Sequence, residues 1–230
     1  METAVTIPVG SADLDGDLVL PEGAGAVVLF AHGSGSSRRS PRNRFVAERL
    51  QRAGLGTLLF DLLTPLEADD EANVFDVYML AGRLVKATEW VREHHAALRI
   101  GYFGASTGAA AALWAAAAPE MRVRAVVSRG GRPDLAGVRL AEVTAPTLLV
   151  VGGHDEVVLD LNRRARRRLG GPSQLAVVPG ASHLFEEPGT LAAAADLARD
   201  WFTEYLRARD TGPHDTGPAA PETAAEPLDF

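Results

Sequence analysis

The chain has 230 residues, is 47% hydrophobic, carries a formal net charge of −7 and contains no cysteine. It is long enough to bury one sizeable core, and the lack of cysteine excludes disulfides, thiolate metal sites and a cysteine nucleophile. Five of the negative charges lie in residues 210–230, which hold no Lys or Arg, so the rest carries only −2 and lacks the charge expected of a nucleic-acid binder.

Residues 27–31 and 147–152 are continuous apolar runs, which are typical of parallel strands covered on both faces of a sheet. Further strands are predicted at residues 57–63, 100–103, 123–128 and 175–178. A loosely alternating run at 14–20 predicts a further strand near the sheet edge.

Apolar residues at the helical period of 3.6 predict helices between these strands. The predicted helices begin at Ser40 and Pro41, cover about 77–91, follow residue 106, cover roughly 158–169 and close the domain at 191–205. Ser40 before Pro41 is typical of an N-cap and a first helical position. Because strands alternate with helices, the sequence predicts an α/β fold with a mostly parallel, doubly covered sheet.

We expect one domain over residues 1–208 and an acidic tail over 209–230. The tail is rich in Pro, Thr and Ala and has almost nothing to bury, so we expect it to be disordered. The N-terminus lacks a basic segment followed by an apolar run, and no stretch of about 18 apolar residues occurs. We therefore expect a cytoplasmic protein that does not bind membranes.

Residues 104–108 read GASTG and lie between a predicted strand and an alanine-rich helix that stops at Pro119. A serine at the centre of G-x-S-x-G can occupy a strained strand-to-helix turn that exposes its hydroxyl at the top of a sheet. The pattern therefore predicts Ser106 as a nucleophile.

Two further reactive side chains follow predicted strands, at the sheet edge where ligands bind in open parallel sheets. Asp155 follows one strand and His183 the next. The order Ser, Asp, His is the one expected on an α/β-hydrolase scaffold. We predict that His183 takes the Ser106 proton and that Asp155 orients the imidazole. A helix N-cap role for Asp155, with Glu156 or Asp160 in its place, stays open.

The glycine-rich loop after residue 31 completes the predicted site. Backbone N–H groups of Ser34 and Thr107 are the candidate oxyanion donors. We expect His32 to anchor this loop by hydrogen bonds. The loop lacks the third glycine of a dinucleotide fingerprint and the lysine of a P-loop, and no HExxH spacing occurs, so we expect no nucleotide, no other cofactor and no metal.

Candidate substrate-binding residues are Arg129, Arg132 and Phe185, which should border the site. A guanidinium offers a bidentate fork to a carboxylate or phosphate. The alternative for the two arginines is a structural pair with Asp134 or Asp61.

Four stretches together resemble the α/β-hydrolase superfamily and, within it, its dienelactone-hydrolase-like branch. They read AHGSGSSRRSPRNRF (31–45), GASTG (104–108), GGHDEVV (152–158) and PGASHLFEEP (179–188). The resemblance covers roughly residues 14–207 and implies a cofactor-free hydrolase of carboxylic esters, lactones or thioesters. Dienelactone hydrolases proper use cysteine where this chain has Ser106, so their particular substrate is not implied.

Large lids in this fold usually enter after the strand predicted at 123–128. Only residues 129–145 separate that strand from the next, so we expect no full cap domain. The family also includes chains joined to other enzyme domains, and we expect no second domain in these 230 residues.

We therefore predict a serine hydrolase that forms an acyl-enzyme on Ser106 with a small-molecule acyl substrate. An acyltransferase or perhydrolase using the same three residues is one alternative, and a non-catalytic binding protein on this fold is another. The sequence does not indicate an oligomeric state.

Overall fold

One eight-stranded sheet organises the protein, which is described by a computed structural model over residues 2–10 and 12–207. The strands are β1 (Glu2–Val9), β2 (Ala12–Val19), β3 (Ala26–Ala31), β4 (Gly56–Phe60), β5 (Arg99–Ala105), β6 (Ala125–Arg129), β7 (Thr147–Gly152) and β8 (Ser173–Val178). Their order is β1-β2-β4-β3-β5-β6-β7-β8. The β1–β2 and β2–β4 pairs are antiparallel and the remaining five are parallel, which confirms the predicted α/β fold.

Helices cover both faces of the sheet. They are α1 (Pro41–Arg52), α2 (Pro65–Ala68), α3 (Glu71–Phe75), α4 (Val77–His94), α5 (Thr107–Ala116), α6 (Glu156–Arg166) and α7 (Thr190–Leu206), with 3-10 helices at Pro119–Met121 and Pro133–Glu142. Buried side chains of α1 and α7 pack on one face, and those of α4 and α5 pack on the other. In β3, Val28 and Phe30 join the first cluster while Val27 and Leu29 join the second, as the two-residue period of a strand requires.

The sequence did not predict β1, which forms the edge of the sheet and pairs with β2. Only Ile7 and Val9 of this strand are buried, so it lacks the continuous apolar run that marks the inner strands. Two short helices, α2 and α3, lie between β4 and α4, and Thr64 caps α2 through a capping box with Glu67.

The segment between β6 and β7 contains only the 3-10 helix Pro133–Glu142, so the prediction of no full cap domain is confirmed. The tail predicted at 209–230 lies outside the described residues. None of the described helices combines the length and the apolar composition that a membrane span requires.

Two glycines bring α5 close to the strands beside it. A Cβ atom on Gly108 would lie 2.2 Å from the Ala31 carbonyl oxygen and 2.4 Å from that of His32. A Cβ atom on Gly104 would lie 2.4 Å from the Cα atom of Ala109. Since backbone atoms occupy this space, only glycine permits the approach, and the turn at residue 106 is thereby fixed against β3 and β5.

Gly108→Ala is expected to destabilise the protein by about 1–3 kcal/mol, because the new methyl group overpacks against backbone oxygens. The matched control is Gly82→Ala in α4, where a Cβ atom meets nothing within 4 Å. That change should stabilise the protein by up to about 1 kcal/mol through helix propensity. Urea denaturation measures both, and equal effects of the two changes would contradict the close-packing argument.

Candidate active site

Ser106 occupies a strained turn between β5 and α5. Its φ of 51° and ψ of −122° lie in a region that residues with a side chain rarely adopt. Its N–H donates to the Arg129 carbonyl at 3.3 Å, and its carbonyl accepts the Arg132 N–H at 3.0 Å. Backbone contacts with β6 and the loop after it therefore hold Ser106 in this conformation, as the G-x-S-x-G pattern predicts.

Asp155 and His183 meet at the same edge of the sheet. Asp155 Oδ2 lies 2.6 Å from His183 Nδ1, and the Asp155 side chain is 13% exposed while that of His183 is 38% exposed. Asp155 precedes α6 but makes no side-chain capping bond to it. The carboxylate is therefore directed to the imidazole and not to the helix terminus.

The two rival carboxylates are placed differently. Glu156 is exposed, and Asp160 pairs with Arg164 at 2.6 Å. Contacts in the fold thus distinguish Asp155 from its sequence neighbours, which composition and spacing could not do.

Glu187 fixes the loop that carries His183, a role that the sequence did not predict. Its Oε2 accepts the Ser182 N–H at 3.0 Å, and this hydrogen bond lowers the pKa of Glu187. Phe185 in the same loop is 2% exposed and has a φ of 57°. The loop is therefore held at Ser182, before His183, and at Phe185, after it. No local sequence signal identifies Glu187 as an acceptor.

His32 anchors the glycine-rich loop, as expected. Its Nε2 accepts the Leu62 N–H at 3.0 Å, and its Nδ1 lies 3.0 Å from the Gly33 carbonyl oxygen. Since Nε2 accepts, Nδ1 carries the proton and donates it to that carbonyl. Burial lowers the pKa of His32, so the neutral ring connects the end of β3 to the residues after β4.

The two candidate oxyanion donors are linked to each other. The Ser34 N–H donates to Thr107 Oγ1 at 3.0 Å, so this amide already has an acceptor, which the sequence did not predict. Thr107 is the first residue of α5, where a backbone N–H has no carbonyl one turn earlier to bond. The Thr107 side chain thus controls whether the loop amide is free.

A cavity of about 240 Å³ lies over Ser106. Its lining includes Ser34, Arg42, Asn43, Ser106, Arg129 and His183. Ser106 Oγ makes no hydrogen bond to His183 within the described part of the chain, although both side chains line this space. Across the 33–37 loop lies a second cavity of about 280 Å³ with mainly apolar walls, contributed by Leu63, Pro65, Ala68, Val74 and Leu80.

The two candidate arginines differ sharply. Arg132 pairs with Asp134 through two bonds of 2.9 and 2.8 Å, which raise the pKa of Arg132, and it does not line the cavity. Arg129 lines the cavity and is 8% exposed, and burial together with Arg42 lowers its pKa to about 10. Phe185 does not border the cavity but lies under the Arg129 guanidinium, 5.6 Å from ring centroid to Cζ.

Metal ligands do not cluster in the described ranges 2–10 and 12–207. No group of three or more His, Asp or Glu side chains there could hold an ion.

Comparison with solved structures shows that the chain is similar in structure to hydrolases. A crystal structure described as dienelactone hydrolase from Anabaena variabilis is 55% identical, with a TM-score of 0.87, covering 90% of this chain and 99% of that one. The esterase domain of a Rhodothermus marinus protein and a lidless α/β serine hydrolase from Xanthomonas campestris share the fold at TM-scores of 0.73, with 19% and 21% identity. They cover 90% of this chain and 100% and 96% of their own.

Sequence comparison adds a longer relative. A protein of Mycobacterium tuberculosis named "Putative phosphoribosyl transferase" is 60% identical over 204 residues, which are 88% of this chain and 46% of that protein. The chain thus spans about half the length of this curated relative. No protein-family model matches the chain.

His32→Asn should reduce the dependence of stability on pH. Because folding lowers the pKa of His32 below its ordinary value of 6.5, the unfolded chain binds the proton more readily, and the free energy of unfolding falls as the pH drops below that value. Removing the imidazole abolishes this contribution. Urea denaturation at about pH 8 and at about pH 5.5, one value above and one below the reference pKa, measures it.

The control for this experiment is His94→Asn, since His94 is exposed and lies outside the site. His94→Asn should keep the pH dependence of the wild type. If His32→Asn keeps it as well, His32 is not the neutral anchor described above.

Proposed function

The chain belongs to the dienelactone hydrolase family, and we propose that it is a serine hydrolase that cleaves a carboxylic ester, lactone or thioester through an acyl-enzyme on Ser106. The hydrogen bond of 2.6 Å between Asp155 and His183, at the cavity that Ser106 lines, is the observation that carries this proposal. The α/β-hydrolase fold and its hydrolase neighbours support hydrolysis in general.

In the proposed reaction, Ser106 Oγ attacks the acyl carbonyl while His183 Nε2 takes the hydroxyl proton. Asp155 accepts the Nδ1–H and stabilises the imidazolium that forms. His183 then returns the proton to the leaving alcohol or thiol, and an ester forms between the acyl group and Ser106. Water, deprotonated by the same imidazole, releases the acid and restores Ser106. Ser106 Oγ must turn toward Nε2 for the first step, as catalytic hydrogen bonds often form only once substrate binds.

The developing oxyanion needs donors, and the Thr107 N–H at the start of α5 is the first of them. The Ser34 N–H is the second. At present this N–H donates to the Thr107 hydroxyl oxygen at 3.0 Å. It contributes to the oxyanion site once it donates to the substrate oxygen in place of that hydroxyl. We propose that this exchange accompanies substrate binding, since it moves a backbone donor to the reacting carbonyl without unfolding the loop.

Phosphoribosyl transfer is not part of this proposal. The Mycobacterium relative that bears this name is about twice as long, and the match covers 46% of it. The Anabaena hydrolase is matched over 99% of its length, so its described activity is the better guide to this chain.

Ser106→Ala is expected to lower kcat by at least about three powers of ten, because the variant lacks the hydroxyl that forms the proposed acyl-enzyme. A panel of p-nitrophenyl esters, lactones and acyl thioesters, assayed with purified wild type and variant, measures the loss. Activity that survives the substitution would show that another group reacts. Transfer of the acyl group to an added alcohol or to peroxide in preference to water would show that the protein is a transferase or a perhydrolase and not a hydrolase.

Asp155→Asn and Glu156→Gln form a matched pair in adjacent positions. Asp155→Asn should lower kcat by about four powers of ten, since the amide favours the wrong imidazole tautomer. Glu156→Gln should retain activity because that carboxylate is exposed. The same assay measures both variants, and the reverse ranking would assign the orienting acid to Glu156.

A further inference from the structure

The cavity of about 280 Å³ across the 33–37 loop has walls that suit an apolar ligand. Its two ionisable side chains are already engaged. Burial keeps His32 neutral and both of its ring nitrogens make hydrogen bonds, while Asp61 pairs with Arg38. Neither group is available to a charged ligand, so the main contribution that these walls offer to binding is the burial of apolar surface. The apolar walls are contributed by Leu63, Pro65, Ala68, Val74 and Leu80.

The strand order places this cavity and His183 on opposite sides of Ser106. Residues 61–63 follow β4 and the 33–37 loop follows β3, whereas His183 follows β8. Ser106 follows β5, which lies between β3 and β6. His183 accordingly lines the cavity over Ser106 and is not among the residues that line the apolar cavity.

Ser34 lies between the two cavities. It lines both of them, and its N–H is one of the two proposed oxyanion donors. The loop also approaches the nucleophile closely, since a Cβ atom on Gly33 would lie 3.0 Å from the Cβ atom of Ser106. A substrate carbonyl held at the Ser34 N–H would therefore have the apolar cavity on one side and His183 on the other.

The direction of proton transfer decides which part of a substrate faces which cavity. His183 must return a proton to the leaving alcohol or thiol, so the leaving group lies on the His183 side of the carbonyl carbon. The acyl chain is the other substituent of that carbon and points away from the leaving group. The chain is thereby directed across Ser34, toward β4 and the apolar cavity.

The outer wall of the apolar cavity is held in place by contacts among α2, α3 and α4. Ala68 belongs to α2 and Val74 to α3. Glu67 of α2 pairs with Arg83 of α4 at 2.5 Å, and the Glu67 carbonyl accepts the side-chain N–H of Asn73 at 3.0 Å. Because the wall is already formed, a ligand does not bear the entropic cost of ordering it.

We propose that the apolar cavity binds the acyl chain of the substrate and sets the preferred chain length. This inference rests on the proposed function, since it takes Ser106 as the acyl acceptor. An apolar cavity of about 150 Å³ binds benzene, so one of about 280 Å³ has room for an acyl chain of about six to eight carbons. The substrate class is thus an ester or thioester of an apolar carboxylic acid of medium length. A lactone fits this arrangement less well, because its acyl chain and its leaving group are joined.

Chain-length preference tests the proposal by kinetics. The p-nitrophenyl esters of acetic and hexanoic acid share one leaving group and differ only in the acyl chain. Wild type should have a kcat/KM about 10- to 100-fold higher for the hexanoate, since methylene groups that enter an apolar pocket favour the longer chain. Ala68→Trp should remove most of this preference and change the acetate little, because the indole fills the cavity.

The matched control is Ala72→Trp, since Ala72 is an exposed residue of α3 that does not line the cavity. This variant should keep the wild-type ratio of the two esters. Equal kcat/KM values for both esters in wild type would overturn the proposal. A preference that survives in Ala68→Trp, or an equal loss on both esters in that variant, would also overturn it.

Binding can be tested without turnover. Hexanamide carries the acyl chain and the carbonyl group without an ester leaving group, and acetamide is its short-chain control. Saturation-transfer NMR should detect the terminal methyl group of hexanamide on wild type and Ala72→Trp, and a much weaker signal on Ala68→Trp. Acetamide should give little signal on any of the three proteins. Hexanamide signals that are absent from wild type, or equal in all three proteins, would contradict the role of the cavity.

This inference and the proposed hydrolysis can fail separately. If wild type hydrolyses neither ester but hexanamide still distinguishes Ala68→Trp from Ala72→Trp, the cavity binds an acyl chain and the proposed hydrolysis fails. If wild type hydrolyses both esters with equal kcat/KM, the hydrolysis stands and the acyl pocket fails.

Discussion

The close contact of α5 with β3 and β5 determines where the reactive groups of this protein lie. Gly104 and Gly108 allow backbone atoms to meet at distances that no Cβ atom could share. The chain must then turn sharply at Ser106, whose positive φ is held by hydrogen bonds to β6 and its loop. Helix α5 begins at Thr107, directly after this turn, so the same packing contact positions both the proposed nucleophile and one of the proposed oxyanion donors.

The arginines near this turn have carboxylate partners, with one exception. Arg132 is paired with Asp134, and Arg38 is surrounded by Asp15, Asp17 and Asp61. These arginines stabilise the loops that border the site and have little capacity left for a ligand. Among these three, Arg129 alone is buried with guanidinium nitrogens that have no hydrogen-bond acceptor in the described part of the chain.

Much of the fold could be predicted because buried parallel strands leave continuous apolar runs and the helices between them keep a 3.6-residue period. The three side chains of the proposed triad could be selected from the sequence for a related reason, since each follows such a strand and the carboxyl ends of parallel strands share one edge. Strand β1 was not predicted because only one of its faces is buried, and on that face only Ile7 and Val9 are buried. Its alternation is too weak to distinguish it from a polar terminus.

The remaining features of the site depend on contacts between distant residues. The hydrogen bond of Ser34 to Thr107 joins residues 73 positions apart, and the choice of Asp155 over Glu156 depends on a side-chain direction. Arg129 and Arg132 are three residues apart and look alike in sequence, yet one is buried at the cavity and the other pairs with Asp134. No periodicity or motif encodes these differences.

We propose Ser106 as an activated nucleophile. Reaction of the folded protein with a fluorophosphonate, followed by peptide mass spectrometry, tests this role, because the reagent captures only a serine whose proton is removed by a neighbouring base. We expect a single adduct on Ser106 that forms much more slowly in His183→Ala. A folded protein whose Ser106 stays unmodified, or an adduct on a different serine, would contradict it.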